Sequence, residues 1–167
     1  MKNEILKLIE TNAQLSASDI ARFLDVEEKD VLVAIAEMET DKIICGYNTI
    51  INWDKVSDEN VHALIEVRVT PQRVTGFDKI ASRIGKFEEV DSVYLLSGDY
   101  DFMVQIKGQT MKEVSRFVFD KLSALDDVVS TSTHFVLKKY KDHGISLEDK
   151  KTTRKNVVLW EISRPIE

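Results

Sequence analysis

The sequence is poor in the residues that mark extracellular, fibrous or metal-binding chains. One cysteine, Cys45, occurs in 167 residues. That excludes an internal disulfide and a cysteine-rich zinc site, and a reducing, cytoplasmic setting is expected. Two prolines and six glycines exclude collagen-like and low-complexity architecture. No run approaches the roughly 18–20 consecutive apolar residues of a membrane span, and Met1-Lys-Asn-Glu-Ile lacks the apolar core of a secretory signal. The three histidines, His62, His134 and His143, lie far apart and lack metal-ligand spacing. A glycine-rich phosphate loop and a nucleophile elbow are both missing. No metal, cofactor or enzymatic reaction is therefore expected. Cys45, inside the apolar run IICGY, reads as a small buried residue rather than a reactive thiol.

What is present is globular. Hydrophobic residues make up 43% of the chain, enough for one domain or two small ones. The net charge of −6 is unevenly spread: residues 1–60 hold six basic and thirteen acidic side chains, while the remainder is close to balance. An acidic first module repels nucleic acid unless its few cations are placed against the phosphates.

The first 45 residues carry helical periodicity. Ile5, Leu8 and Ile9 share one face. Ser16-Ala-Ser-Asp19 resembles a capping box with Asp in place of Glu and opens a helix through Ile20, Ala21, Phe23 and Leu24. After a break at Asp25-Val26, Val31, Ala34, Ile35 and Met38 repeat at i, i+3, i+4 and i+7. Two short helices across a tight turn predict a helix-turn-helix unit over residues 1–45. Residues 46–60 are expected to form an exit strand and a polar linker.

From residue 61 the period becomes two. Ala63, Ile65, Val67 and Val69 alternate within HALIEVRVT, and Pro71 is expected to end that strand. A helix follows with Phe77, Ile80, Ala81, Ile84 and Phe87. Two strands then flank a turn at Gly98-Asp-Tyr-Asp101. A second helix carries Met111, Val114, Phe117, Val118, Leu122 and Leu125, and a last strand runs through VVSTSTHFVLKKY. The order βαββαβ over residues 61–143 predicts a ferredoxin-like domain, so the fold class is α+β. The sheet face away from the helices would carry Leu64, Tyr94, Leu96 and Met103. That is apolar enough to predict a dimer surface. Residues 144–167 form a tail. From Lys138 onward it is rich in cations, through Lys150, Lys151, Arg154 and Lys155, and reads as a solvated linker.

Three segments in this order resemble the Lrp/AsnC (feast/famine) family of regulators. SDIARFLDV…VLVAIAEMETDKIICGY is similar to its helix-turn-helix and exit strand. VYLLSGDYDFMVQI is similar to its TG-x-x-D-[YF] turn, with Ser97 for Thr. VVSTSTHFVL is similar to its terminal T-x-T-x-x-VL strand. The resemblance covers roughly residues 1–143. It implies a transcriptional regulator that binds double-stranded DNA through the N-terminal unit, forms homodimers and higher even-numbered oligomers, and senses a small amino-acid-type effector. The matching ligand positions are Gly98, Asp99, Tyr100, Asp101, Thr131 and Thr133. Turn N–H groups and threonine hydroxyls suit an α-carboxylate, and Asp99 or Asp101 suits an α-ammonium. Asp101 is expected to be exposed before ligand arrives, so that its loss would spare the fold. Sirohaem decarboxylases share the architecture, but SGDYDFMVQI lacks the Arg and His that hold a polycarboxylate tetrapyrrole.

The recognition helix departs from the family pattern. Glu27 replaces the usual capping Ser, and Ala34 stands where the family carries a basic residue. Exposed Glu28, Asp30, Leu32 and Val33 include no base-reading Arg, Asn or Gln. The cations left to meet phosphate are Arg22, Lys29 and Lys42. The alternative function is an amino-acid-sensing or hetero-oligomer module that has lost direct DNA binding.

Overall fold

Ser16 sets the geometry of the N-terminal unit. Its hydroxyl accepts the Asp19 N–H at 3.1 Å, while the Asp19 carboxylate accepts the Ser16 N–H at 3.3 Å and the Ser16 O–H at 2.6 Å. Two orphan donors of the helix start are thus satisfied reciprocally. In the computed structural model, which describes residues 1–56, 60–70, 76–108 and 110–148, this cap opens α2 (Ala17–Leu24) after α1 (Lys2–Thr11). Asp25 then takes a left-handed conformation, φ 53° and ψ 50°, which one Asp tolerates better than most residues. The chain thereby re-enters helix as α3 (Glu28–Thr40). Glu27 precedes α3 without a side-chain cap, as its side chain predicts. Val31, Ala34 and Met38 of α3 are buried against Ile5, Ile20, Ala21 and Ile44. Met1–Ile51 form one compact unit and Asn52–Glu167 a second.

The second unit is built on β1 (Val61–Val69), α4 (Gly76–Ile84), β2 (Val90–Leu95), β3 (Phe102–Gly108), α5 (Met111–Phe117) and β4 (Val128–Phe135). The antiparallel sheet has the order β2-β3-β1-β4, the split βαβ expected from the change of period. Alternation divides its faces. Ala63, Ile65, Val67, Val69, Phe102, Val104 and Ile106 are buried with Ile80, Ile84, Val114, Phe117 and Leu122 from the helical side. Thr110 caps α5 by accepting the Glu113 N–H at 3.1 Å, and α5 runs on as a wide π-helical turn, Val118–Leu122.

Several expectations are corrected. No strand forms between residues 45 and 56: a strand needs a neighbour to take its backbone groups, and the described residues supply none. Trp53–Lys55 is instead a 3₁₀ turn, with the Lys107 ammonium 4.8 Å from the Trp53 ring centroid. Cys45 is exposed, its thiol directed to the Lys42 carbonyl at 3.1 Å. Residues after 140 are not merely a solvated linker, because β5 (Lys141–Asp142) and β6 (Ile145–Ser146) form a small hairpin. The Asn52 amide donates to the Leu147 carbonyl at 2.7 Å beside it. Pro71 and the cations from Lys150 to Lys155 lie outside the described residues. Among those described, no helix is long and apolar enough to cross a membrane.

Candidate functional site

The β2–β3 turn is tied to the end of β1 by three sets of bonds. The Asp101 N–H donates to the Val67 carbonyl at 3.0 Å, and the Asp101 carbonyl accepts the Leu96 N–H at 2.8 Å. The Asp101 carboxylate accepts the Val69 N–H at 2.8 Å, next to the register shift between Arg68 and Val69. The β1–β3 ladder ends at the Val67–Phe102 pair, so the Val69 N–H has no strand partner on that side, and Asp101 supplies the acceptor. The Arg68 guanidinium donates from Nε and Nη2 to the Asp99 carbonyl, at 2.9 and 2.5 Å, and lies 5.4 Å from the Tyr100 ring centroid. Asp101 is therefore not a free carboxylate awaiting a ligand; it holds the turn on the sheet.

Thr131 lies across β1 from the turn. It pairs across the ladder with Val67, and Thr133 pairs with Ile65. Both partners are buried on the helix-facing side, so both threonines lie on that side of edge strand β4 and are partly exposed. Val67 is thus the shared neighbour of the turn and Thr131, and Thr133 follows about 7 Å further along the strand. Gly98 has open space around it, for a Cβ there would meet nothing within 4 Å. Among the described residues the Asp99 carboxylate has no ion-pair or hydrogen-bond partner, which makes it rather than Asp101 the available anion. His134 does not join this group. It pairs with Leu64 on the opposite face, where its Nε2 lies 3.1 Å from Glu66 Oε2 and 3.3 Å from Ser132 Oγ.

That opposite face is apolar on one side only. Tyr94 pairs with Met103, and Tyr94 is 53% exposed while Leu96 is 39% exposed. Leu64 and Met103 are partly buried. Glu66, Arg68, Ser132 and His134 make the β1–β4 half polar. At the far end His62 is held below its ordinary pKa, first by burial and then by Lys139, and its Nδ1 is buried without a hydrogen-bond partner.

The α3 surface answers the question of cations. Arg22 is ion-paired to Asp19, whose carboxyl is held below its usual range by the Ser16 hydroxyl first and by Arg22 next. Lys42 follows α3 in a left-handed turn, φ 58°. Lys29 is exposed and forms no ion pair among the described residues. Its chain neighbours Glu28 and Asp30 are exposed, as are Glu37 and Glu39 further along α3. Leu32 and Val33 are 53% and 49% exposed. Ala34 is 2% exposed, so in this chain that position faces the core of the unit and cannot carry a phosphate contact.

Arg68 was not among the expected site residues. Its signal was present in the sequence, as the cation on the outward side of an alternating strand, at the end where the turn must return.

A capped tri-helical unit with two helices across a tight turn is thus followed by a βαββαβ sheet with a pinned turn at its end. The sequence profile of the Lrp/AsnC ligand binding domain matches residues 62–145. The chain is 48% identical over 144 residues to YugG of Bacillus subtilis (strain 168), described as an uncharacterized HTH-type transcriptional regulator, covering 86% of this chain and 87% of YugG. It belongs to the Lrp/AsnC family of helix-turn-helix transcriptional regulators. The fold is shared with the leucine response regulatory protein LrpA of Mycobacterium tuberculosis, at a TM-score of 0.70 and 15% identity, over 88% of this chain and 97% of that one. It is shared also with the regulator NMB0573 of Neisseria meningitidis, solved as a complex with L-Met, at a TM-score of 0.66 and 23% identity, over 84% and 90%.

Proposed function

We propose that this chain is a cytoplasmic DNA-binding regulator whose assembly and DNA affinity answer to a small amino-acid-type effector held at the β2–β3 turn. In this reading residues 1–45 meet double-stranded DNA, residues 46–60 connect, and residues 61–143 sense the effector and join subunits through the outer sheet face. The observation that carries it is the convergence of the turn and Thr131 on Val67. Arg68 and Asp101 fix the turn, while the Gly98 backbone, the Asp99 carboxylate and the threonine hydroxyls remain for a zwitterion. The L-Met complex of NMB0573 supports an amino acid as the class. Apolar Tyr94, Leu96, Leu64 and Met103 support a second copy of the sheet as the partner of the outer face, with further pairing of dimers into even-numbered oligomers.

A second reading has its own observation. Exposed Leu32 and Val33 among carboxylates suit a protein surface better than a phosphate backbone, which would make the chain a sensing module without direct DNA binding. Selection of duplexes from a randomised DNA pool, followed by a salt titration, separates the two. DNA retention with a shallow salt dependence is expected, because few cations face outward. Lys29→Ala should weaken binding at every sequence and reduce the salt slope by about 0.9. Retention of no duplex at low salt selects the sensing module instead.

A further inference from the structure

The sheet of the second unit has two edges, and they are not alike. β2 ends it on one side with six residues, a charged Asp91 and a register shift between Val90 and Ser92. Shortness, charge and irregularity protect an edge against further pairing. β4 ends it on the other side and runs for eight residues, VVSTSTHF, without Lys, Arg, Asp, Glu or Pro. Its one irregularity is confined to the start of the strand, where the register shifts between Ser130 and Val128. Among the described residues no strand lies beyond it.

The register fixes where the β4 backbone groups point. The Val136 N–H donates to the His62 carbonyl at 2.9 Å, and this pair continues the register of His134 with Leu64 and Ser132 with Glu66. Every second residue of an antiparallel strand bonds to a given neighbour. Ser132 and His134 therefore turn their N–H and C=O groups towards β1. Thr131, Thr133 and Phe135 turn theirs the other way, to the open edge.

That edge is complementary to itself. With a two-fold axis at Ser132, antiparallel pairing sets Thr131 against Thr133 of the second copy, Ser130 against its His134, Val129 against its Phe135, and Ser132 against Ser132. Polar side chains meet polar ones, the apolar pair meets at the ends, and no like charges face each other. Moving the axis to Thr131 sets Val129 against Thr133 and loses the apolar match. The axis at Ser132 also makes Thr131 and Thr133 the hydrogen-bonded pairs, which is the direction their backbones already take. The two pairs exchange about four backbone hydrogen bonds across the axis.

We propose that β4 is an interface for a second copy of this chain, joining two four-stranded sheets edge to edge about a two-fold axis at Ser132. The contact is separate from the outer sheet face and does not depend on the effector.

Disulfide trapping in the full chain tests it. Cys45 is exposed and is the one cysteine of the sequence, so Cys45→Ser supplies a cysteine-free background. The two copies of Ser132 form a non-hydrogen-bonded pair, with Cα atoms about 4.5 Å apart, inside the span of a disulfide. Ser130 lies on the same face, but its two copies are roughly 13 Å apart, beyond that span. Under mild oxidation Ser132→Cys should form an interchain disulfide about tenfold faster, or more, than Ser130→Cys. Thr133→Pro, added to Ser132→Cys, removes an outward donor and leaves the β1 ladder untouched. An edge strand tolerates such a proline, and it should slow the disulfide about tenfold. Equal rates at the two cysteine positions, or no interchain disulfide from Ser132→Cys, overturn the proposal whether or not the proline variant folds. An undiminished rate in a folded Thr133→Pro protein overturns it as well.

Discussion

Ala34→Arg is expected to unfold the N-terminal unit. The family pattern suggests this substitution as a way to add a phosphate contact, but Ala34 is 2% exposed and packs in the cluster of Ile5, Ile20, Val31 and Met38. An arginine there needs volume that a close-packed core does not hold. It also brings a charge with no buried partner, since no polar or charged side chain is buried among the described residues. The cost is about 3 kcal/mol or more, against the small stability that a unit of some fifty residues commands. Circular dichroism should lose the signal of α1 to α3 while the sheet persists, and DNA binding should disappear with it. Glu27→Ser makes the contrasting case. It places a capping oxygen before α3, where none now bonds, and should raise stability by about 1 kcal/mol. A well-folded Ala34→Arg protein with raised DNA affinity would show that α3 sits differently.

Asp101→Ala should destabilise the sensing domain rather than leave it intact. The substitution removes the acceptor of the Val69 N–H just past the last β1–β3 pair, where the ladder offers no replacement. A part-buried donor left unpaired costs about 1–3 kcal/mol. The turn then loses its hold on β1, and the Arg68 bonds to the Asp99 carbonyl weaken with it. Denaturant unfolding should show the loss directly. Asp101→Asn keeps an acceptor oxygen on the same stem and should recover more than half of it. Loss of effector response in Asp101→Ala is accordingly a consequence of the displaced turn, not proof of a ligand contact. Equal stability of Asp101→Ala and wild type would return Asp101 to the role of a free ligand-binding anion.

Local rules made much of the fold legible. The Ser16–Asp19 box, the period of α3 and the alternation Ala63, Ile65, Val67, Val69 each follow from interactions within a few residues. What escaped was set by partners distant in sequence. The extended run after Cys45 has strand composition, but a strand is a property of two segments, and composition does not supply the second. Asp101 reads as an exposed, ligand-binding turn carboxylate because its acceptor role depends on the end of a strand 32 residues earlier. Arg68 gives only a weak signal in the sequence for the same reason, since its target is a carbonyl rather than a side chain with a recognisable charge. The exposure of Leu32 and Val33 was legible, because Val31, Ala34 and Met38 already fill the buried stripe.

The account rests on a coupling between the turn site and DNA, and one measurement addresses it directly. Using a duplex selected from the randomised pool, its affinity for the full chain is measured by fluorescence anisotropy with each of the twenty amino acids in turn. At least one should shift the affinity by about fivefold or more, the scale of ordinary allosteric coupling, and Thr131→Val should bind the same duplex while losing that shift. Tight DNA binding that no amino acid alters, or a shift that survives Thr131→Val undiminished, would contradict an effector site at the turn.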